Sequence, residues 1–262
     1  MRSPDMPTHP DIALPRLIAH RGLSAHAPEN TLVAVRAAHE AGFQWVELDV
    51  QLLGDGTPVI WHDATLMRCS DGHGRLATLD LAAVRKLDVG GWFGDGFRGE
   101  CMATLSDMLE LLVELDMSVN MELKVTSRRS GTELAEVVVP RLLRALPPER
   151  LILSSFDQPA LNHARTLADA SLLPIGVLTE SVPEKWCSRC EALNAYSIHT
   201  DWTRLTARRA REIKAAGYHL LCYTPNDPMA FANRWTWGVD SAISDDPALF
   251  AGIAPPPDQA QA

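Results

Sequence analysis

Short β-rich runs alternate with amphipathic helical stretches along nearly the whole chain, and this alternation restricts the fold more than any single motif. The strand candidates are 16–19, 45–51, 58–61, 118–123, 151–154, 174–178, 195–198, 219–223 and 241–244. Apolar residues at helical spacing mark 31–41, 105–115, 133–146 and 206–216, the last closed by Gly217 as a C-cap. Strand followed by helix, repeated, makes a parallel sheet. In a chain of 262 residues this many repeats favour an α/β fold of the TIM-type (β/α)8 barrel. An open doubly wound sheet is the alternative, although no G-x-G-x-x-G turn follows the first strand. The composition, 46% hydrophobic and 22% charged, suits a globular enzyme and excludes disorder as the main state.

Nine strand candidates are one too many for eight barrel positions. The second and third are joined by LLGDGT, and Asp55-Gly56 is a hairpin signal. A two-residue turn there pairs Gly54 with Thr57 and sets Asp49 opposite His62. Residues 71–100 break the alternation. They are rich in Gly, carry Trp92, Phe93 and Phe97, and are expected to form a small inserted subdomain or lid with a short helix near 81–87. Residues 1–14 and 253–262 are Pro-rich and polar and read as disordered tails around a barrel domain over 15–252. Neither a secretory leader nor an apolar run of membrane-spanning length is visible. The five cysteines are odd in number and irregular in spacing, so a cytoplasmic protein with reduced thiols is expected. A net charge of −9 argues against nucleic acid and against membrane insertion, and it leaves homo-oligomerisation open. An anionic substrate would need local positive charge.

Side chains two apart on a strand share a face. Glu47 and Asp49 therefore point the same way, as do Asn120, Glu122 and Lys124. Buried carboxylates are costly unless paired or metal-bound. Three of them converging at the mouth of a barrel offer hard oxygen ligands to a divalent cation. The competing reading is a structural salt-bridge network with Lys124 and Arg21. His20 ends the first strand and His62 ends the hairpin strand. Imidazole titrates near neutral pH, so such a pair can serve as general acid and general base. Arg21 and Lys124 would add cationic donors. This set of groups suits a phosphate ester better than a carbonyl substrate. Cys187 and Cys190 form a CxxC in a helical context without a second pair, a weak redox or zinc signal. His26, His39, His163, His199 and His219 read as surface or packing residues, and Trp202, Trp235 and Trp237 as core or rim.

IAHRG (18–22), PENT (28–31), VELDV (46–50), PVIWHDATLMR (58–68), NMELK (120–124), SSFD (154–157), YTPND (223–227) and GVDSAISDDP (238–247) occur in one order. Through these motifs the chain resembles the glycerophosphodiester phosphodiesterase family, particularly its short soluble bacterial form, from about residue 17 to 247. The resemblance implies one divalent cation, Mg2+ or Ca2+, held by Glu47, Asp49 and Glu122. It implies His20 and His62 as the catalytic acid/base pair, and Arg21, Lys124, Glu29 and Phe156 as substrate-binding residues. The activity it implies is hydrolysis of a small glycerophosphodiester to sn-glycerol 3-phosphate and an alcohol, with a cyclic 1,2-phosphate as the expected intermediate. Two alternatives stand beside it: a related barrel phosphodiesterase acting on phosphoinositides or lysophospholipids, and a non-catalytic glycerophosphate-binding protein. Departures from the family pattern fall at Leu53-Gly54, Ala103 and Ser244, and residues 181–202 match poorly.

Overall fold

The computed structural model describes residues 8–126 and 129–253. Nine strands are found: β1 (Leu17–His20), β2 (Trp45–Leu52), β3 (Pro58–Ile60), β4 (Ser118–Leu123), β5 (Leu151–Ser155), β6 (Ile175–Thr179), β7 (Ser197–Asp201), β8 (His219–Tyr223) and β9 (Ser241–Ser244). Eight of them pair in parallel, and the ring closes because β1 pairs with both β2 and β9. This is the expected (β/α)8 barrel. Around it run α1 (Leu32–Glu40), α2 (Leu81–Val84), α3 (Leu105–Glu114), α4 (Gly131–Ala145), α5 (Gln158–Leu167), α6 (Trp186–Leu193), α7 (Ala207–Ala215) and α8 (Pro228–Thr236). Their apolar faces and the outer faces of the strands form one large core. None of the helices is long and apolar enough to cross a membrane among the described residues.

The ninth strand, β3, is the antiparallel hairpin partner of β2, but its register differs by one from the expected one. Val50 faces Ile60, Gln51 faces Val59 and Leu52 faces Pro58. Asp49 therefore lies opposite Trp61, whose N–H it accepts at 2.9 Å, and not opposite His62. The turn has three residues instead of two. Gly56, at φ +84°, closes it in the left-handed region, and Gly56 N–H donates to Leu53 O. Asp55 holds the loop by accepting from Thr57 N–H and Leu81 N–H, both at 2.9 Å.

The inserted segment packs against this hairpin. Leu66, Cys69, Leu76, Val84, Val89 and Met102 bury a second small core with Val59 and Trp61. No residue of 71–100 is among those that line the cavity at the barrel mouth. A third cluster fills the barrel itself with Ile18, Trp45, Ile152, Tyr196, Leu221 and Ile243. Ile12 is buried in it, and His9 meets the Tyr196 ring edge-on at 5.5 Å. The stretch from 8 to 14 is thus packed across the barrel, whereas the sequence reads as a loose end. The remainders of the two expected tails, 1–7 and 254–262, lie outside the described residues.

Candidate active site

The C-terminal ends of the strands frame a cavity of about 420 Å³. In a barrel of this type that face carries the loops that can differ freely, while the packed strands below hold side chains in place. His20, Arg21, Glu47, His62, Glu122, Lys124 and Phe156 all line the cavity. Asp49 lies just beneath, 1% exposed. Parallel pairing explains the convergence: Glu47 is level with His20 on β1, and Asp49 with Glu122 on β4.

Glu47, Asp49 and Glu122 bring one oxygen each within 4.8 Å of one another, all buried. Burial and the Asp49 and Glu122 charges push the Glu47 carboxyl well above its usual range. Burial and the Asp49 charge likewise push Glu122 up to about 7. Asp49 goes the other way. Burial opposes its ionisation, but Lys124, Arg21 and an Asn30 hydrogen bond hold it ionised. Lys124 Nζ lies 2.8 Å from Glu122 and 3.3 Å from Asp49, and Arg21 Nε lies 3.3 Å from Asp49. The salt-bridge network foreseen from the sequence is therefore present, yet two cations face three crowded carboxylates. An all-oxygen donor set with unmet negative charge fits a hard divalent cation.

Each imidazole is backed by a carboxylate. His20 Nδ1 is 2.6 Å from Asp245 Oδ1, and its Nε2 is 3.7 Å from Glu47 Oε2. Asp245 also accepts from Ser24 Oγ at 3.0 Å and Asn226 Nδ2 at 2.6 Å, and with His20 these bonds overcome burial and draw its carboxyl down to about 2. His62 Nδ1 is 2.6 Å from Asp63 Oδ1. Asp63 is drawn down to about 2, chiefly by Arg68, whose Nε donates to it at 2.7 Å. With Nδ1 engaged in both rings, Nε2 is the nitrogen each presents to the cavity. Desolvation, reinforced by Arg21 and Lys124, lowers the pKa of His62 despite the nearby Asp49.

The chain before β2 supplies a second layer of support. Arg21 (φ +56°) and Gly22 (φ +82°) both take left-handed backbone at the end of β1. A Cβ on Gly22 would sit 2.7 Å from the Ala34 backbone, so glycine is required there. Asn30, itself at φ +58°, donates to Asp49 Oδ2 at 2.8 Å and accepts from Asp49 N–H at 3.2 Å. Glu29 does not line the cavity. It accepts from Arg21 at 2.7 Å and from Arg68 at 2.6 and 2.8 Å, so its position is that of a brace between two guanidinium groups. Gln51, fully buried, donates to the carbonyls of Trp61, His62 and Asp63 at 2.8–3.0 Å and anchors the segment that carries His62.

Asp245, Asp63, Asn30, Gln51 and Arg68 were not singled out from the sequence. Asp63 adjoins His62 and was detectable by adjacency; the others depend on contacts that the fold creates. Of the remaining sequence candidates, His26 pairs with Asp246 and His163 with Glu136 at the surface, and His199 is fully buried. Trp202 and Trp237 each face the Arg234 guanidinium, and Trp235 is buried. Cys187 and Cys190 lie on α6, and none of the five cysteines forms a disulfide.

With this geometry in hand, comparison with known proteins points in one direction. The model of the glycerophosphoryl diester phosphodiesterase family matches residues 20–249. A glycerophosphodiester phosphodiesterase of Caldanaerobacter subterraneus subsp. tengcongensis is 35% identical over 242 residues, covering 90% of this chain and 96% of that protein. Among solved structures, a phosphodiesterase of Oleispira antarctica in complex with the product sn-glycerol-3-phosphate is 36% identical. It covers 92% of this chain and 97% of that one, with a TM-score of 0.87. The glycerophosphodiester phosphodiesterase of Thermotoga maritima is 27% identical with a TM-score of 0.72, covering 93% and 99% of the two chains.

Proposed function

This chain belongs to the glycerophosphoryl diester phosphodiesterase family and is a phosphoric diester hydrolase; from that premise we propose that it hydrolyses glycerophosphodiesters to sn-glycerol 3-phosphate and an alcohol by His20/His62 acid–base catalysis. The observation that carries this reading is the pairing of two carboxylate-backed imidazoles, Asp245–His20 and Asp63–His62, on a cavity that also holds the three-carboxylate cluster. The product-bound relative, 36% identical over almost the whole chain, supports the substrate class.

Glu47, Asp49 and Glu122 would hold one divalent cation, Mg2+ or Ca2+. Such an ion lowers the pKa of a bound hydroxyl and offsets phosphoryl charge. Arg21 and Lys124 grip the phosphoryl oxygens. His62, whose pKa burial lowers, takes the proton of the glycerol 2-hydroxyl as that oxygen attacks phosphorus. His20 gives a proton to the departing alcohol. Water then opens the cyclic 1,2-phosphate with the two roles exchanged. The vicinal hydroxyl is already in place, an advantage in effective molarity. Phe156 forms an apolar wall, and Glu29 fixes Arg21 from behind. That the five cysteines form no disulfide supports a reducing, cytoplasmic location.

The test is release of glycerol 3-phosphate from glycerophosphocholine and glycerophosphoethanolamine, with and without chelator and with metal restored. Product in the presence of metal, lost with chelator, is the expected result; none under any condition would refute the assignment. Normal turnover of a 2-deoxy analogue would rule out the cyclic route.

A further inference from the structure

The cavity has two unlike walls. On one side stand Arg21, Lys124 and the carboxylate cluster. The other is built from Phe156, Glu180, Asp201, Arg204 and Tyr223, on the loops and strand ends of the β5 to β8 side. Arg204 Nη1 donates to Glu180 Oε2 at 3.0 Å, and its Nε lies 3.8 Å from Asp201 Oδ2. Two carboxylates share one guanidinium, so this wall carries a formal charge of about −1 at neutral pH. Phe156 and Tyr223 meet edge to face, ring centroids 6.0 Å apart. The Tyr223 hydroxyl is spent on the Thr179 carbonyl at 3.0 Å, which leaves the ring as what that residue offers the cavity. Phe156 is 43% exposed and stands between the two walls, with Lys124 Nζ 5.9 Å from its ring centroid.

We propose that this second wall is the subsite of the departing alcohol and that it selects a cationic amino alcohol over a neutral polyol. The inference rests on the glycerophosphodiester reading and adds the head-group class to it. Glycerol and phosphate occupy the cation-rich side in that reading, so the alcohol projects toward Glu180, Asp201, Phe156 and Tyr223. A primary or quaternary ammonium gains there from the uncompensated carboxylate and from the aromatic faces. A polyol's hydroxyls donate to the carboxylates, but it brings no positive charge for them or for the ring faces, and neither ring has a donor left for it.

The experiment compares kcat/KM for glycerophosphocholine and glycerophosphoethanolamine with that for glycerophosphoglycerol and glycerophosphoinositol, following glycerol 3-phosphate in every case. The intact enzyme is expected to favour the cationic pair by about 3- to 30-fold, with the preference shrinking as salt is added. Glu180→Gln and Asp201→Asn should each lower that ratio, whereas Arg204→Gln, which removes the countercharge, should raise it. Phe156→Leu should reduce the choline ester more than the ethanolamine ester. A purely structural role would depress all four substrates together, and that outcome overturns the proposal. Equal kcat/KM for the four, with product from each, removes the subsite and leaves the glycerophosphodiester reading standing. Absence of product from all four overturns both.

Discussion

Asp245 reaches His20 across 225 positions of sequence, and the contact exists only because the last strand lies beside the first. The sequence shows the two histidines as strand-end residues, and period-2 spacing alone aligns Glu47 with Asp49 and Glu122 with Lys124. It does not show what stands behind them. His20→Ala or His62→Ala should each lower kcat about 10²- to 10⁴-fold in a glycerol 3-phosphate release assay; near-intact activity of either would dismiss the pair. Asp245→Asn keeps the shape but cannot fix the ring or stabilise its charge, so kcat should fall by about tenfold or more, with binding of product little changed. His199 makes a different prediction. It is wholly buried with Nε2 2.8 Å from Ser197 Oγ, and desolvation pushes it down to about 3. Unfolded chain takes up a proton below about pH 6.5 that the folded chain refuses. Stability is therefore unaffected above pH 7 and falls as pH drops from about 6.5 toward 3, by up to about 1.4 kcal/mol per pH unit. Urea melts of His199→Gln across that range should show an acid slope shallower by one proton; an unchanged slope would contradict the assignment.

At the level of elements, the hairpin shows what spacing can and cannot settle. Gly56 was recognisable as a turn glycine, but whether two or three residues close the loop depends on Asp55, whose carboxylate ties Thr57 and Leu81 together. Residue 81 belongs to the insertion, so the register depends on a distant segment. The active site tolerates the shift because His62 follows the end of β3 and is aimed by its own anchor, Gln51. Gln51→Leu would leave three buried or half-buried carbonyls without that donor. A loss of about 1–3 kcal/mol in denaturant melts is expected, with a parallel drop in kcat; full stability would show the anchor to be dispensable. Strands were legible to within two residues, β7 excepted, which runs three residues past its expected end, because their apolar runs are short and bounded. Two helices, α5 and α8, are marked in the sequence by their starts more than by apolar periodicity: Asp157 and Asp227 cap them and a proline follows each cap closely. Those signals sit inside SSFDQP and PNDP, shortly after the ends of β5 and β8.

For the molecule as a whole, the barrel forces three carboxylates together and, among the described residues, sets Arg21 and Lys124 beside them, and the remaining repulsion opposes folding. A divalent ion that binds only the folded chain reverses this. At about a hundredfold excess over its Kd it adds about 2.7 kcal/mol, which for a domain of this size raises Tm by about 5–10 °C. Thermal melts with millimolar Mg2+ or Ca2+ against chelator should show this rise, and Glu122→Gln should blunt it. Indifference of Tm to both ions would count against the cluster as a cation site. The barrel itself was readable from the alternation of elements; the packing of residues 8–14 across it was not, since one buried isoleucine amid polar residues leaves no periodic trace.

Because the first strand brings the histidine and the last brings its aspartate, the seam where the ring closes is also where this half of the chemistry is assembled. A chain without the last stave would lose ring closure and the carboxylate behind His20 in one step.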